Sequence, residues 1–159
     1  MINVRKGTGH SLAQTDFTGN AKANEAVVAG MLVAKDTSGD IVKLTTLTTA
    51  ADAGQVGFAI TNQDEGDAIE SGRIGVYALD GGTVVETDQF TGTYTASDIG
   101  KAVVADGSSA GKVKAVAHGS VSTSRVLGTV YDAPRSIYVG FTPITVLPIK
   151  LGAGPNTLT

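Results

Sequence analysis

Residues 56–79 alternate twice between apolar and small or polar side chains, with a single loop between the two runs. Val56, Phe58 and Ile60 interleave with Gly57, Ala59 and Thr61. After the acidic stretch 62–72, Ile74, Val76 and Ala78 interleave with Arg73, Gly75 and Tyr77. A period of two puts one apolar row on one side of an extended chain, so each run predicts a strand with one buried face. Two such runs around a polar, Gly-containing loop predict an antiparallel hairpin.

The same order of features returns some seventy residues later. Residues 100–106 (GKAVVAD) echo residues 30–36 (GMLVAKD) at a spacing of seventy. Val113-Lys114 follows Val42-Lys43 by seventy-one, as Gly128 follows Gly57. Ile137, Val139 and Phe141 then answer Ile74, Val76 and Ala78 after a shorter loop. This repeat predicts two related half-domains, 25–79 and 95–141, each with an apolar face that needs a cover. Closing one on the other gives a compact β-barrel or sandwich with one shared core. The expected core is Val56, Phe58, Ile60, Ile74, Val76, Val126, Val130, Ile137, Val139 and Phe141.

Composition agrees with an all-β fold. At 42% hydrophobic the chain is too apolar to stay unfolded. Aromatics make up only 5%, and Val and Ile, stiff at χ1, suit a pleated surface. Residues 31–34 and 41–44 flank the turn sequence Asp36-Thr37-Ser38-Gly39-Asp40, which predicts a further hairpin. Asp80-Gly81-Gly82 predicts a turn before a strand at 83–86. Residues 95–98 predict one helical turn capped by Thr95 or Ser97. Residues 45–52 read as a connection.

Both ends leave this pattern. Residues 1–24 are polar with spaced apolar anchors, Ile2, Val4, Leu12 and Phe17. They read either as a frayed terminus or as an arm lying on a neighbouring subunit. Residues 143–159 hold Pro143, Pro148 and Pro155, which remove backbone donors and predict extended chain outside any central strand. Ile144, Val146, Leu147, Ile149 and Leu151 make this second arm too apolar to be left bare. It either wraps its own domain or docks on a partner. The expected organisation is an arm at 1–24, a β-rich body at 25–142 and an arm at 143–159, with the nine anchors named here as candidate interface residues.

Several functions are disfavoured. Twelve basic residues against fifteen acidic, scattered and summing to −3, do not make a phosphate-binding surface, so nucleic acid is not the expected partner. With no cysteine there are no disulfides, thiolate metal sites or thiol nucleophiles. The opening residues lack the apolar core of a cleavable signal, and no run approaches the length of a membrane helix. The expectation is a soluble chain without a membrane partner. Sparse aromatics and absent Trp weigh against a sugar-stacking module.

Chemical motifs are equally thin. His10 and His118 have no second histidine or patterned carboxylate nearby, so they read as surface residues and no metal is expected. Ser124, His118 and Asp132 form a triad only on paper, without a nucleophile elbow. Residues 107–113 (GSSAGKV) fall one residue short of a phosphate loop. They place Val113 where a Ser or Thr must bind magnesium, and so read as a hairpin turn. Asn62, Asp64, Glu65, Asp67 and Glu70 offer oxygen ligands to calcium but not in an EF-hand pattern, and a solvated or partner-facing acidic tip is the simpler reading. No catalytic residue and no cofactor is assigned.

The succession of apolar strand, D-x-S-G turn, V-G-x-A strand, Gly-ended loop and V-x-V strand resembles the small β-rich cement, or decoration, proteins of tailed-bacteriophage capsids. The first-half residues that carry it are Val28-Ala29-Gly30-Met31-Leu32-Val33, Ser38-Gly39-Asp40-Ile41-Val42, Val56-Gly57-Phe58-Ala59, Gly66-Asp67-Ala68-Ile69 and Ile74-Gly75-Val76. In the second half they are Ala110-Gly111-Lys112-Val113, Leu127-Gly128-Thr129-Val130 and Tyr138-Val139-Gly140-Phe141. The match covers about residues 24–143 and brings no site residue with it. It implies a non-enzymatic structural protein, made in the host cytoplasm and carried in the virion on the outer surface of the head shell. Such a protein, often a homotrimer, binds the major capsid protein, ties neighbouring capsid subunits together and stabilises the capsid. The alternative is a phage tail, fibre or adhesin-like β module that binds a cell-surface ligand.

Overall fold

The computed structural model describes residues 1–6, 14–16, 25–35, 40–44, 56–59, 62, 75–78, 83–117 and 126–152. Its strands in chain order are β1 (Ile2–Lys6), β2 (Gln14–Asp16), β3 (Leu32–Lys35), β4 (Ile41–Lys43), β5 (Val56–Ala59) and β6 (Gly75–Ala78). They continue with β7 (Val84–Thr87), β8 (Ala102–Ala105), β9 (Val113–Val116), β10 (Gly128–Val130), β11 (Arg135–Val139) and β12 (Thr142–Leu151). The all-β expectation holds. Two antiparallel sheets form, one in the order β2-β6-β5-β3-β4, the other β1-β7-β12-β10-β8-β9 with β11 attached to β12 outside that path. The helical element among the described residues is the single 3₁₀ turn Ala96–Asp98. The Thr95 hydroxyl accepts from the Ser97 N–H and the Asp98 carboxylate from the Thr95 N–H at 2.7 Å, a cap of the expected kind.

The main-chain bonding carries a recurring pattern. The pairing order β2-β6-β5-β3-β4 recurs as β7-β12-β10-β8-β9. Val33 stands opposite Gly57, and Val103 opposite Gly128. Ahead of β3 and β8 the chain turns through Gly30 and Gly100, both in the left-handed region at φ 94° and 88°, which glycine adopts without a Cβ penalty. Gly30 donates to Ala59 at 2.7 Å and Ala59 to Met31 at 2.8 Å. In the second half Gly100 donates to Val130 at 2.8 Å and Val130 to Lys101 at 2.9 Å.

Two details of the repeat are corrected. Ile41 pairs with Lys35 and Val113 with Ala105, so Val113 is the counterpart of Ile41 and not of Val42. Both side chains are fully buried, and the longer second turn absorbs the shift. The strand beside Gly57 contains Ala78, whereas the strand beside Gly128 contains Leu151. The counterpart of β6 is therefore the end of β12. Ile137, Val139 and Phe141 belong to an outlying hairpin instead.

The reading of residues 143–159 as barred by proline from a central strand gives way as well. Over its described part this segment lies in the middle of the larger sheet, between β7 and β10. Leu151 donates to Thr83 at 2.8 Å, and alternation along the antiparallel ladder turns the Pro148 nitrogen away from β7. On the other side the Pro148 carbonyl accepts the Tyr131 N–H at 2.9 Å, just past the end of β10. The ladder to β7 thus needs no donor from Pro148.

One hydrophobic cluster joins the sheets. Leu32, Ala34, Leu44 and Phe58 from the smaller sheet and its flanks pack with Val85, Val103, Val113, Leu127, Leu147, Ile149 and Leu151 from the larger. Val33, Ile41 and Ala59 turn the other way into a second cluster with Val27. The central strands are therefore buried on both faces, more than simple alternation predicts. Full burial of each large apolar side chain contributes about 1.5–3 kcal/mol.

Candidate functional site: the β11–β12 hairpin

Among the described residues β11 pairs with the first half of β12 alone, from Arg135 opposite Val146 to Val139 opposite Thr142. Gly140 and Phe141 make the two-residue turn, with Gly140 at φ 61°. A Gly-X turn between two strand-forming runs closes a tight hairpin because its backbone twist matches that of the strands. Phe141 is fully exposed at this tip, Tyr138 is 74% exposed and Val139 50%. Sequence alternation places Val139 and Phe141 in the core, and the structure places them in solvent. Ile137 is only half-buried. The buried strand that alternation anticipates here is β12 beyond Thr145, where Val146, Leu147, Pro148 and Ile149 are all buried.

The base of the hairpin is braced. Arg135 donates from Nε and Nη2 to the two carboxylate oxygens of Glu86, each at 2.8 Å. Glu86 lies on β7 with no exposed surface. A two-point fork fixes orientation as well as distance, which a single lysine contact does not. The hydrogen bonds to Glu86, helped by its charge, raise the Arg135 guanidinium above its ordinary value.

Beside the base lies a cleft of about 240 Å³ lined by Phe90, Gly92, Thr93, Tyr94, Pro134 and Thr145. Its aromatic wall is held by hydrogen bonds of Tyr94. The rings of Phe90 and Tyr94 are 6.0 Å apart, and the Tyr94 hydroxyl donates to the Thr91 carbonyl at 2.5 Å while accepting the Ala115 N–H at 2.8 Å. Burial, the largest influence, raises the Tyr94 hydroxyl above its usual range. Behind this wall Asp106 accepts from Thr91 Oγ1 at 2.8 Å and from the Ser108 N–H at 3.1 Å, with Lys114 Nζ at 3.5 Å. Burial alone would raise its carboxyl. These donors outweigh burial and hold it below the usual carboxylate range. The turn that carries Asp106 is a hairpin connection, as residues 107–113 predict, with β8 and β9 on either side.

Of the nine candidate interface residues, the described ones on β12 mostly lie inside the chain's own core. Ile2 is half-buried and packs on the shared cluster, and Val4 lies on β1 opposite Val85. β1 is drawn in at its start by the Met1 amine, which donates to the Ala29 carbonyl at 2.5 Å and to the Asp88 carboxylate. Leu12 and Phe17 lie outside the described residues. Ile144 is half-buried in the hairpin, while Val146, Leu147, Ile149 and Leu151 are interior side chains of the chain's own core. The large hydrophobic side chains exposed on this hairpin are instead Tyr138, Val139 and Phe141. Their signal in the sequence is Gly140-Phe141 set between two strand-like runs.

His10, His118, Ser124, and all of the acidic loop except Asn62 lie outside the described residues. Asn62 accepts the Ala29 N–H at 2.9 Å. Among the described residues no cluster of three metal-ligating side chains occurs and no helix is long and apolar enough to cross a membrane. No protein-family model, no curated protein and no solved structure matches this chain.

Proposed function

We propose that this chain is a structural cement protein of a tailed-bacteriophage head, a homotrimer bound to the outer surface of the shell and holding neighbouring major capsid subunits together. Its two sheets face each other as a sandwich around the shared cluster, which makes a stiff body. The observation that carries the reading is the braced hairpin with an uncharged, aromatic tip, a protein–protein contact element in residue type and exposure. Val146, Leu147, Ile149 and Leu151 serve this role as core that anchors the hairpin, and not as a free C-terminal arm. Several modest contacts on one stiff trimer reinforce one another through effective concentration. The resemblance of residues 24–143 to capsid cement proteins points the same way.

The test is co-sedimentation of the purified protein with head shells that lack it, followed by heating of the decorated shells. Saturable binding and a higher shell disruption temperature are expected. Binding to tails or host cells with none to shells would replace this reading with the tail or adhesin alternative.

A further inference from the structure

The hairpin and the cleft at its base are a matched pair on one molecule. From Ser136 to Thr145 the hairpin has no charged residue, and none lines the cleft. Phe141 and Thr145 lie on one side of the turn, four residues apart, which is about 13 Å of extended strand. With its base clamped by Arg135 and Glu86, the hairpin does not fold its own tip into its own cleft. We propose that the Phe141 tip of one molecule seats in the Phe90–Tyr94–Pro134–Thr145 cleft of a second copy, and that this head-to-tail contact closes the ring of subunits. This deepens the proposed function by naming the contact through which its copies assemble.

Size, charge and area argue for a second copy as the occupant. An apolar cavity of about 150 Å³ already admits a benzene ring, and this cleft holds about 240 Å³. The chain carries a net charge of −3, and an uncharged contact brings no like charges of two copies together. At tip and cleft no ion has to leave water, and desolvation opposes the contact least there. An aromatic side chain buries about 150–250 Å², so Phe141 with the exposed parts of Tyr138 and Val139 contributes roughly 300–500 Å². One such contact, counted on both partners, falls below the ~1,200 Å² of a stable pair. A ring in which every molecule gives one tip and receives another gains its closing contact without a second loss of translational freedom. The contact therefore favours a closed ring over a dimer.

The chain has no tryptophan, so Phe141→Trp installs a single reporter at the tip. At concentrations where sedimentation shows trimer, its emission should be blue-shifted and shielded from acrylamide, and dilution to monomer should shift it to the red. Phe141→Ser, and Thr145→Arg in the cleft, should each give monomers with an unchanged circular dichroism spectrum. Phe141→Tyr should still assemble. A solvent-exposed tryptophan within an oligomer, or a chain that stays monomeric at every concentration, would overturn the proposal. Shell binding separates the two readings. A Phe141→Ser protein that remains trimeric but loses the shells puts the tip on the shell and refutes the self-contact. Tip-dependent trimers that ignore shells uphold the self-contact and refute the cement role.

Discussion

Arg135 and Glu86, 49 residues apart in the chain, meet in a two-point fork at 2.8 Å across the base of a projecting hairpin. The relationship is unequal, because Glu86 is wholly buried while nearly half of the Arg135 side chain is exposed. A charge already out of water suffers more from losing its counter-charge than one that can rehydrate. The fork raises the arginine further above its ordinary value, so the pair keeps its cation at any working pH.

Arg135→Met should accordingly destabilise the protein more than Glu86→Gln, which keeps the shape and removes the buried charge. The double variant should be less impaired than Arg135→Met alone. Denaturant midpoints for the three proteins check this order. A Glu86→Gln loss that exceeds the Arg135→Met loss would show that the fork is incidental to folding.

Two phenylalanines should respond in opposite ways. Phe58 has no exposed surface and sits in the shared cluster, so Phe58→Ala should cost about 3–5 kcal/mol. Phe141 is fully exposed, and Phe141→Ala should leave the stability of the monomer within about 0.5 kcal/mol. Urea unfolding at a concentration that keeps the chain monomeric measures both.

Glycines separate backbone crowding from backbone strain. A Cβ on Gly128 would stand 2.3 Å from the Lys150 carbonyl oxygen, in a strand that cannot retreat without breaking its pairing with β12. Gly128→Ala should cost more than about 3 kcal/mol. At Gly140 nothing lies within 4 Å and only the left-handed φ of 61° opposes a side chain. Gly140→Ala should cost about 1–2 kcal/mol. Thermal unfolding monitored by circular dichroism orders the two.

Asp106 sets a pH limit. Its carboxyl is held below the ordinary range in the folded protein, so it binds protons more weakly there than in the unfolded chain. Its contribution is complete above the unfolded value and disappears as the pH falls through the lower, folded one. Stability should therefore decline below about pH 4. Asp106→Asn should be less stable at pH 7 and lose less on acidification. An unchanged acid limb in Asp106→Asn would place the decline on other carboxylates.

Strand content, the hairpins β3–β4, β5–β6 and β8–β9, the Thr95 cap and the seventy-residue repeat are all legible along the chain. Each rests on near neighbours or on local periodicity. Gly30 and Gly100 recur because the backbone at both needs a left-handed turn, and Gly57 and Gly128 recur opposite Val33 and Val103. Side-chain alternation reports that a strand has two faces, but not which strand lies beside it or whether anything covers it. Ile137, Val139 and Phe141 alternate as well as any core strand, yet among the described residues β11 pairs with β12 alone, and Val139 and Phe141 stay in water. Residues 143–159 read as an arm because proline lacks a donor. Only the register with β7 decides that the Pro148 nitrogen points where the ladder asks for none. The Glu86–Arg135 fork and the cleft beside it bring together segments that no local pattern connects, so they exist only in the tertiary structure.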